Sequence, residues 1–461
     1  MNTILLFLVS ITTLLWGNSA SASAATTTFA EILKMALARN VEIKKIDNNI
    51  ATENLYYRLS LKKLFLPQLD MKISGGEAMQ HLKDPSTFDL ATTNIRTPFA
   101  LSAGLLARYD LFNGLADVNG KKMAQLSLQQ SKDLLKMQKA QLTYELRKIF
   151  LDLSMAERTL ALIGEEVAVD KKLFEITTAK YKSGHISKEE YWRANLEYIE
   201  SQERLANQEE LVKNLKIALF DLISNEQIQE KETLKLSLEN YEKLDGKTND
   251  LLTAILTQKE DQLIGSFLSA YQQTSSSDYQ NLSKQMAISE MNYKISRADF
   301  LPKVYLLADY NQNFENIRDH ALDNSYSSYG ISLNLEVPLF SSFDSYVKSK
   351  ESYYLFLNST YDLAQNSFAV KNKISKLCSN LRAYASSYQL VQKKHEIQGE
   401  IYQNMFKRYS AGAIAIQLLI DDKIKLQQYG LQLAEEIHNI KLTELELDKI
   451  SGEINRYWEQ L

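Results

Sequence analysis

Five histidines, His81, His185, His320, His395 and His438, and one cysteine, Cys378, are the residues of this chain most suited to binding a metal or acting as a nucleophile. They are scattered without the close spacing that a metal site requires. No P-loop, G-x-S-x-G or G-x-G-x-x-G pattern accompanies them. No catalytic residue, cofactor or resident metal is therefore expected. Cys378 can form no internal disulfide and reads as a small apolar residue on a helix. Only His185 stands at an unusual place, inside the turn-like stretch "YKSGHIS".

Charge excludes another class. The 53 basic and 57 acidic side chains nearly cancel, to a formal net charge of -4, and nucleic-acid binding would call for a clustered basic excess. With 45% hydrophobic and 24% charged residues, the chain can bury a sizeable core.

The N-terminus reads as an export signal over residues 1–24. "ILLFLVSITTLL" is too short to span a bilayer as a helix, and "SASASAA" offers small-residue cleavage sites after Ala22 or Ala24. The usual positive n-region is reduced to the α-amino group. No later apolar run is long enough for a transmembrane helix, so any membrane crossing must be made by strands.

Proline shows where those strands belong. Pro67, Pro85, Pro98, Pro302 and Pro338 fall in two windows, and the rest of the chain is proline-free, as long helices require. Inside the windows the apolar period becomes two: Leu69, Met71 and Ile73; Leu101 to Leu111; Val304, Leu306, Ala308 and Tyr310; Ile331, Leu333, Leu335 and Val337. Stretches of about 9 to 11 residues suit tilted transmembrane strands. Half-buried hairpins of a soluble sheet would alternate in the same way. Aromatic placement favours the membrane, because Phe65, Phe112, Phe300 and Phe340 stand at the four strand ends that meet helices, forming one interfacial rim. The opposite ends are joined by the polar loops "EAMQHLKDPSTFDLATTNIR" and "NFENIRDHALDNSYSS".

Outside the windows the period is that of a coiled coil. Leu142, Leu146, Ile149, Leu153, Ala156, Leu160 and Ile163 advance by alternating steps of four and three, and one constant offset later stand Val370, Ile374, Leu377, Leu381, Tyr384, Tyr388 and Val391. "DLFNG" matches "PLFSS" at the same offset, as Tyr181, Gly184 and Ile186 match Tyr409, Gly412 and Ile414. The chain is a tandem repeat. Each half reads as helix, strand, loop, strand, a helix of 67 residues, a turn at Gly184 or Gly412, and a second helix over 187–225 or 415–455. A continuous helix of that length is roughly 100 Å long. The first repeat spans 25–226 and the second 278–461. Between them 227–277, with "QIQEKETLKLSLENYEKLDGKTND" and "YQQTSSSDYQ", reads as an irregular, mostly solvated connector. The phrase "FLP", at Pro67 and Pro302, is where helix gives way to strand in each repeat, since proline lacks the N–H and fixes φ.

Four strands close no barrel, and an open edge cannot face lipid. Two chains would supply eight strands and three would supply twelve; strand counting does not choose.

The paired "FLP" joints, the exits "YDLFNG" and "VPLFSS", and the turns "YKSGHIS" and "YSAGAIA", in this order and duplicated, resemble the TolC family of outer-membrane efflux proteins over essentially the whole mature chain. The resemblance implies a mainly α fold with a transmembrane β-barrel portion. Four strands per protomer would join a trimeric twelve-stranded barrel in the bacterial outer membrane, continued by a coiled-coil tunnel through the periplasm. It implies a passive exit duct for efflux or type I secretion, with a periplasmic adaptor protein and an inner-membrane pump of RND, ABC or MFS type as partners. The tips Gly184, His185, Ile186, Gly412, Ala413 and Ile414 would dock the adaptor. Glu189, Glu190 and Asp421 would ring the pore entrance and prefer cations, a preference expected to weaken as pH falls. The sequence departs from the family at Val41, where relatives often have proline, and at Leu418, where an acid is expected; Asp422 is the acid beside Asp421. The rival reading is a periplasmic or surface coiled-coil scaffold without transport activity.

Overall fold

The computed structural model describes residues 28–82, 93–223, 246–257, 260–271, 277–315, 324–339 and 343–459. The expected signal segment, His320 and Phe340 lie outside the described residues. The first repeat comprises α1 (Phe29–Arg39), α2 (Val41–Lys63), β1 (Gln68–Leu82), β2 (Thr93–Asn113), α3 (Ala116–Lys182) and α4 (Lys188–Ile223). After α5 (Gly246–Thr257) and α6 (Glu260–Ala270), the second comprises α7 (Ser277–Arg297), β3 (Lys303–Glu315), β4 (Asn324–Glu336), α8 (Asp344–Ser410) and α9 (Ile416–Ser451). Both long helices have 67 residues, and both partners α4 and α9 have 36.

The "FLP" joints work as expected. α2 ends in a tightened turn, with the Leu64 N–H bonded to the Leu61 carbonyl at 3.2 Å and the Phe65 N–H to the Lys62 carbonyl at 3.0 Å, and β1 starts just after Pro67. α7 ends through a 3-10 turn at Ala298–Phe300, and Leu301 is extended at φ -99 and ψ 152. A residue before proline is driven to that conformation. At the break between α1 and α2, the Asn40 side chain accepts the Ile43 N–H at 3.0 Å. This N-cap does the local work that proline does elsewhere, so Val41 is tolerated.

At the strand-to-helix exit, Gly114 and Leu115 both have φ 66. A Cβ on Gly114 would lie 2.8 Å from the Ala298 carbonyl oxygen, so glycine is required both for its backbone angle and for this close approach. The exit of the first repeat is thus pressed against the helix-to-strand joint of the second.

The strands form one antiparallel sheet in the order β1-β2-β3-β4. Register aligns Met71, Leu105, Tyr310 and Tyr329 in one cross-strand row, and Leu69, Ala107, Ala308 and Ile331 in the next. The alternate rows, such as Lys72, Gly104, Asn311 and Ser328, belong to the other face and are mostly polar or small, with Leu106 and Leu307 as exceptions. Ile73, Ile331 and Leu333 are 62%, 78% and 68% exposed, so nothing among the described residues covers the apolar face. That face is suited to lipid. Replacing Leu333 by arginine is expected to cost about 2 to 4 kcal/mol near the bilayer midplane, while Asn334→Gln on the polar face should be mild. Refolding of both variants into vesicles under urea titration measures the difference; equal stability would remove lipid from this face.

The strands are longer than expected, at 15, 21, 13 and 13 residues. Residues 77–82, 93–96, 313–315 and 324–328, read from sequence as loop, continue the ladders. Cross-strand backbone pairing carries these segments past the point where the apolar alternation ends.

The coiled-coil seam packs as the heptads require. Leu142, Leu146, Leu153, Ala156 and Ile163 are buried, with Ile149 and Leu160 packed beside them. In the second repeat Ile374, Leu377, Leu381 and Val391 are buried, while Val370, Tyr384 and Tyr388 pack against the same cores. Each fully buried leucine contributes about 1.5 to 3 kcal/mol. Within the stretch between the repeats, the described residues 246–257 and 260–270 are helical rather than irregular. Thr248, Leu252 and Ile255 line one face of α5 and are buried, Leu252 and Ile255 packing with Leu377 and Leu381 of α8. Lys247 anchors the start of α5 to Asp448 of α9 at 2.8 Å.

Candidate functional site

The helical turns at Gly184 and Gly412 are built alike. In the first, the Gly184 N–H bonds the Tyr181 carbonyl at 3.0 Å and the His185 N–H bonds the Lys180 carbonyl at 2.9 Å. In the second, Gly412 bonds Tyr409 at 3.0 Å and Ala413 bonds Arg408 at 2.9 Å. Both glycines have φ 74. This is the Schellman termination, which places a glycine in the left-handed region and satisfies the last carbonyls of the helix. Turn chemistry therefore accounts for both glycines locally. It leaves their outer side open: an added Cβ would meet nothing within 4 Å at either position.

The fold brings the two tips together around a shared groove. Lys180, Ser183, His185, Ile186 and Glu190 line it from the first repeat, and Tyr409, Gly412, Ala413 and Ile414 from the second. His185 shares a 2.7 Å hydrogen bond with the Ser183 hydroxyl. Lys180 donates to the Tyr409 carbonyl at 3.1 Å, and its ammonium stands 4.0 Å from the centre of that residue's ring. The Tyr409 hydroxyl lies 3.3 Å from Thr177. Burial raises the Tyr409 phenol above its ordinary range; the Thr177 hydrogen bond opposes this and the Glu190 charge adds to it.

The acids past the tips have different settings. Glu189 and Glu190 fall in the first turn of α4, where the Ser187 hydroxyl accepts the Glu190 N–H at 3.2 Å. The helix dipole favours acids there without further purpose. Asp421 is exposed and lies beyond the first turn of α9, outside that favour. It accepts a 2.8 Å bond from Gln417, which in turn accepts one of 3.0 Å from Arg193 of α4. Leu418, at the position where the resemblance called for an acid, is half exposed. The joint aromatics Phe65, Phe112 and Phe300 stand with Pro67 and Pro302 at the opposite ends of the long helices, and all three rings are exposed.

Sequence reasoning missed a buried ionic junction above the tips. Lys423 of α9 is only 2% exposed. Its ammonium lies 2.5 Å from Asp170 and 3.8 Å from Glu166, both on α3, and 3.1 Å from Glu197 on α4. Arg204 of α4 closes the cluster, 2.5 Å from Glu166 and 3.5 Å from Glu197. The three carboxylates lie close enough together to hold a metal ion, but an ammonium already bridges them. Burial raises the Asp170 carboxyl above the usual carboxylate range, against the bond and charge of Lys423. A signal was present. Continued by its own steps, the α3 seam runs Val167, Asp170, Phe174 and Thr177, placing an acid where an apolar residue belongs. Repeat symmetry also breaks here, since Gln398 and Asn195 are the counterparts of Asp170 and Lys423.

A strand hairpin with one exposed apolar face, a 67-residue helix running away from it and a paired tip, all duplicated, make up the fold. Residues 274–453 match the family described as Outer membrane efflux protein. The fold is similar to that of the Campylobacter jejuni CmeC outer membrane channel, with a TM-score of 0.73 at 14% identity over 92% of this chain and 85% of that one. It is similar to the outer membrane protein VceC from Vibrio cholerae, with a TM-score of 0.73 at 12% identity over 92% and 96%. The open state of the Neisseria gonorrhoeae MtrE outer membrane channel gives 0.69 at 13% identity over 92% and 88%. No curated protein matches the chain by sequence. The matched stretch is the second repeat and covers less than half of the chain; its description agrees with the family that the duplicated motifs resemble. The fold is thus shared with solved outer membrane channels over nearly the whole chain.

Proposed function

We propose that three copies close into one conduit, that a periplasmic adaptor docks on the helical tips, and that the acids past the tips make the entrance prefer cations. One observation carries the closure: every layer of the protomer has its open edges on the same two sides. The sheet leaves β1 and β4 unpaired on their outer edges. Below it the helices pack in the order α2, α3, α7, α8, and nearer the tips α4 and α8 are outermost. These outer helices carry uncovered apolar stripes: Leu55, Tyr56 and Leu59 on α2; Val347, Tyr354, Tyr361 and Phe368 at seven-residue intervals on α8; Trp192, Leu196 and Ile199 on α4. A second copy meets all of them at once, and head-to-tail contacts that close make a ring. Three copies give twelve strands.

An inner-membrane pump would deliver cargo to this conduit through the adaptor, which would meet the open glycine faces of the tips. In the ring, Glu189, Glu190 and Asp421 from three protomers bring on the order of nine carboxylates to the mouth, whose summed field attracts cations. The export signal is proposed to leave with residues 1–24. The test is made on detergent-purified protein. Its mass should be that of three chains, and single-channel recordings of Asp421→Asn with Glu190→Gln should show a marked loss of cation preference. A different mass overturns the closure, and unchanged selectivity places these charges outside the pore.

A further inference from the structure

Lys423 is the most deeply buried lysine among the described residues, and it stands two positions after Asp421. At 3.6 residues per turn, two positions are about 200° apart around a helix. The two side chains therefore leave α9 on nearly opposite faces. One is drawn into the Glu166, Asp170 and Glu197 carboxylates, and the other is exposed. Between them in sequence, Asp422 accepts the Gln398 amide of α8 at both its backbone carbonyl, 3.1 Å, and its side chain, 3.2 Å. α9 is thus held from α3, α4 and α8 within two consecutive residues.

We infer that Lys423 is a positioning residue for the Asp421 carboxylate: the buried junction sets the rotation of α9 about its own axis and so presents Asp421 outside the helix bundle, toward the entrance. The inference rests on the reading of Asp421 as an entrance acid. Position along the repeat supports it, because the counterpart of Lys423 on α4 is Asn195, which carries no charge. α4 joins the junction through Glu197 and Arg204, and a buried ammonium stands at this repeat position on α9 and not on α4. The geometry also explains why a lysine is kept where a leucine would pack at lower electrostatic cost. An apolar side chain fixes burial but tolerates slippage around the axis, whereas an ammonium shared by three carboxylates defines one azimuth.

The experiment compares ion selectivity in single-channel recordings of the full-length purified protein carrying Asp421→Asn, Lys423→Gln, Lys423→Arg, or the first two together. Expected are a several-fold loss of cation preference in Asp421→Asn, a similar loss in Lys423→Gln, near-normal preference in Lys423→Arg, and no further loss in the double variant. A purely structural lysine would reduce the yield of assembled channels without changing the selectivity of those that form. If Asp421→Asn loses preference while assembled Lys423→Gln keeps it, the positioning role is overturned and the entrance reading stands. If Asp421→Asn itself leaves selectivity unchanged, both fall. Should Lys423→Gln fail to assemble, Lys423→Gln with Asp170→Asn removes one charge of each sign from the junction and is read by the same criteria. Failure of that pair too would make the junction a general scaffold and overturn the positioning role.

Discussion

Gly184→Glu combined with Gly412→Glu is expected to abolish export while channels still assemble in the outer membrane. Two physical effects compete at these positions. Each glycine has φ 74, where a side chain costs about 1 to 2 kcal/mol per residue, so some loss belongs to the turn alone. Each glycine also has open space where its Cβ would be, so glutamate meets no obstacle within the protomer and instead covers the surface that the proposed adaptor would approach. Alanine separates the two. Gly184→Ala with Gly412→Ala bears the same backbone strain but adds only a methyl group, whereas asparagine accepts the left-handed region more readily. Export assays with adaptor crosslinking should show activity retained in the alanine and asparagine pairs and lost in the glutamate pair. Equal loss in the alanine and glutamate pairs would make the tips a matter of turn chemistry, and normal export in the glutamate pair would refute docking there.

Lys423→Met should destabilise the helical portion by about 3 to 5 kcal/mol at neutral pH, because it leaves buried carboxylates without their main cation. The junction holds Glu166, Asp170 and Glu197 against Lys423 and Arg204. Asp170 Oδ2 is buried and accepts no hydrogen bond. Removing Lys423 leaves Arg204 alone to face three acids. The sign of the pH dependence follows from Asp170, whose carboxyl is raised by burial. A carboxyl raised in the folded state favours folding while protonated, and that contribution is lost as pH rises through its folded value. The deficit of Lys423→Met should therefore shrink on acidification. Asp170→Asn should cost less than Lys423→Met, since it leaves two acids facing two cations. Urea unfolding followed by circular dichroism in detergent measures both; an equal loss in the two variants, or a deficit that grows toward acid pH, would contradict this account of the junction.

What could be read in the sequence was what repeats locally. Heptad steps name their own buried positions, and every seam residue from Leu142 to Ile163 and from Val370 to Val391 packs as its spacing requires. Proline and the two tip glycines mark backbone geometry that few other residues adopt, so the joints at Pro67 and Pro302 and the turns at Gly184 and Gly412 were legible to within a residue or two. Strand ends were not, because cross-strand pairing carries the ladders past the last alternating residue. The junction was not either. Its members come from positions 166 to 204 and from 423, and a lysine on an amphipathic helix reads as solvated until three helices are seen to enclose it.

The equal lengths of α3 and α8, and of α4 and α9, bear on the shape of the far end of the proposed conduit. Two arms cut to the same count bring their turns to one height, and a single unmatched residue would offset them by about 1.5 Å. In the proposed ring the rim is therefore level, with six near-equivalent teeth of two alternating kinds. A partner that grips teeth one by one finds six seats, whereas anything sensing the charge at the mouth finds three, because the position of Asp421 on α9 is held by Arg193 on α4. By the proposed reading, the same end is sixfold to the hand that holds it and threefold to the ion that passes through.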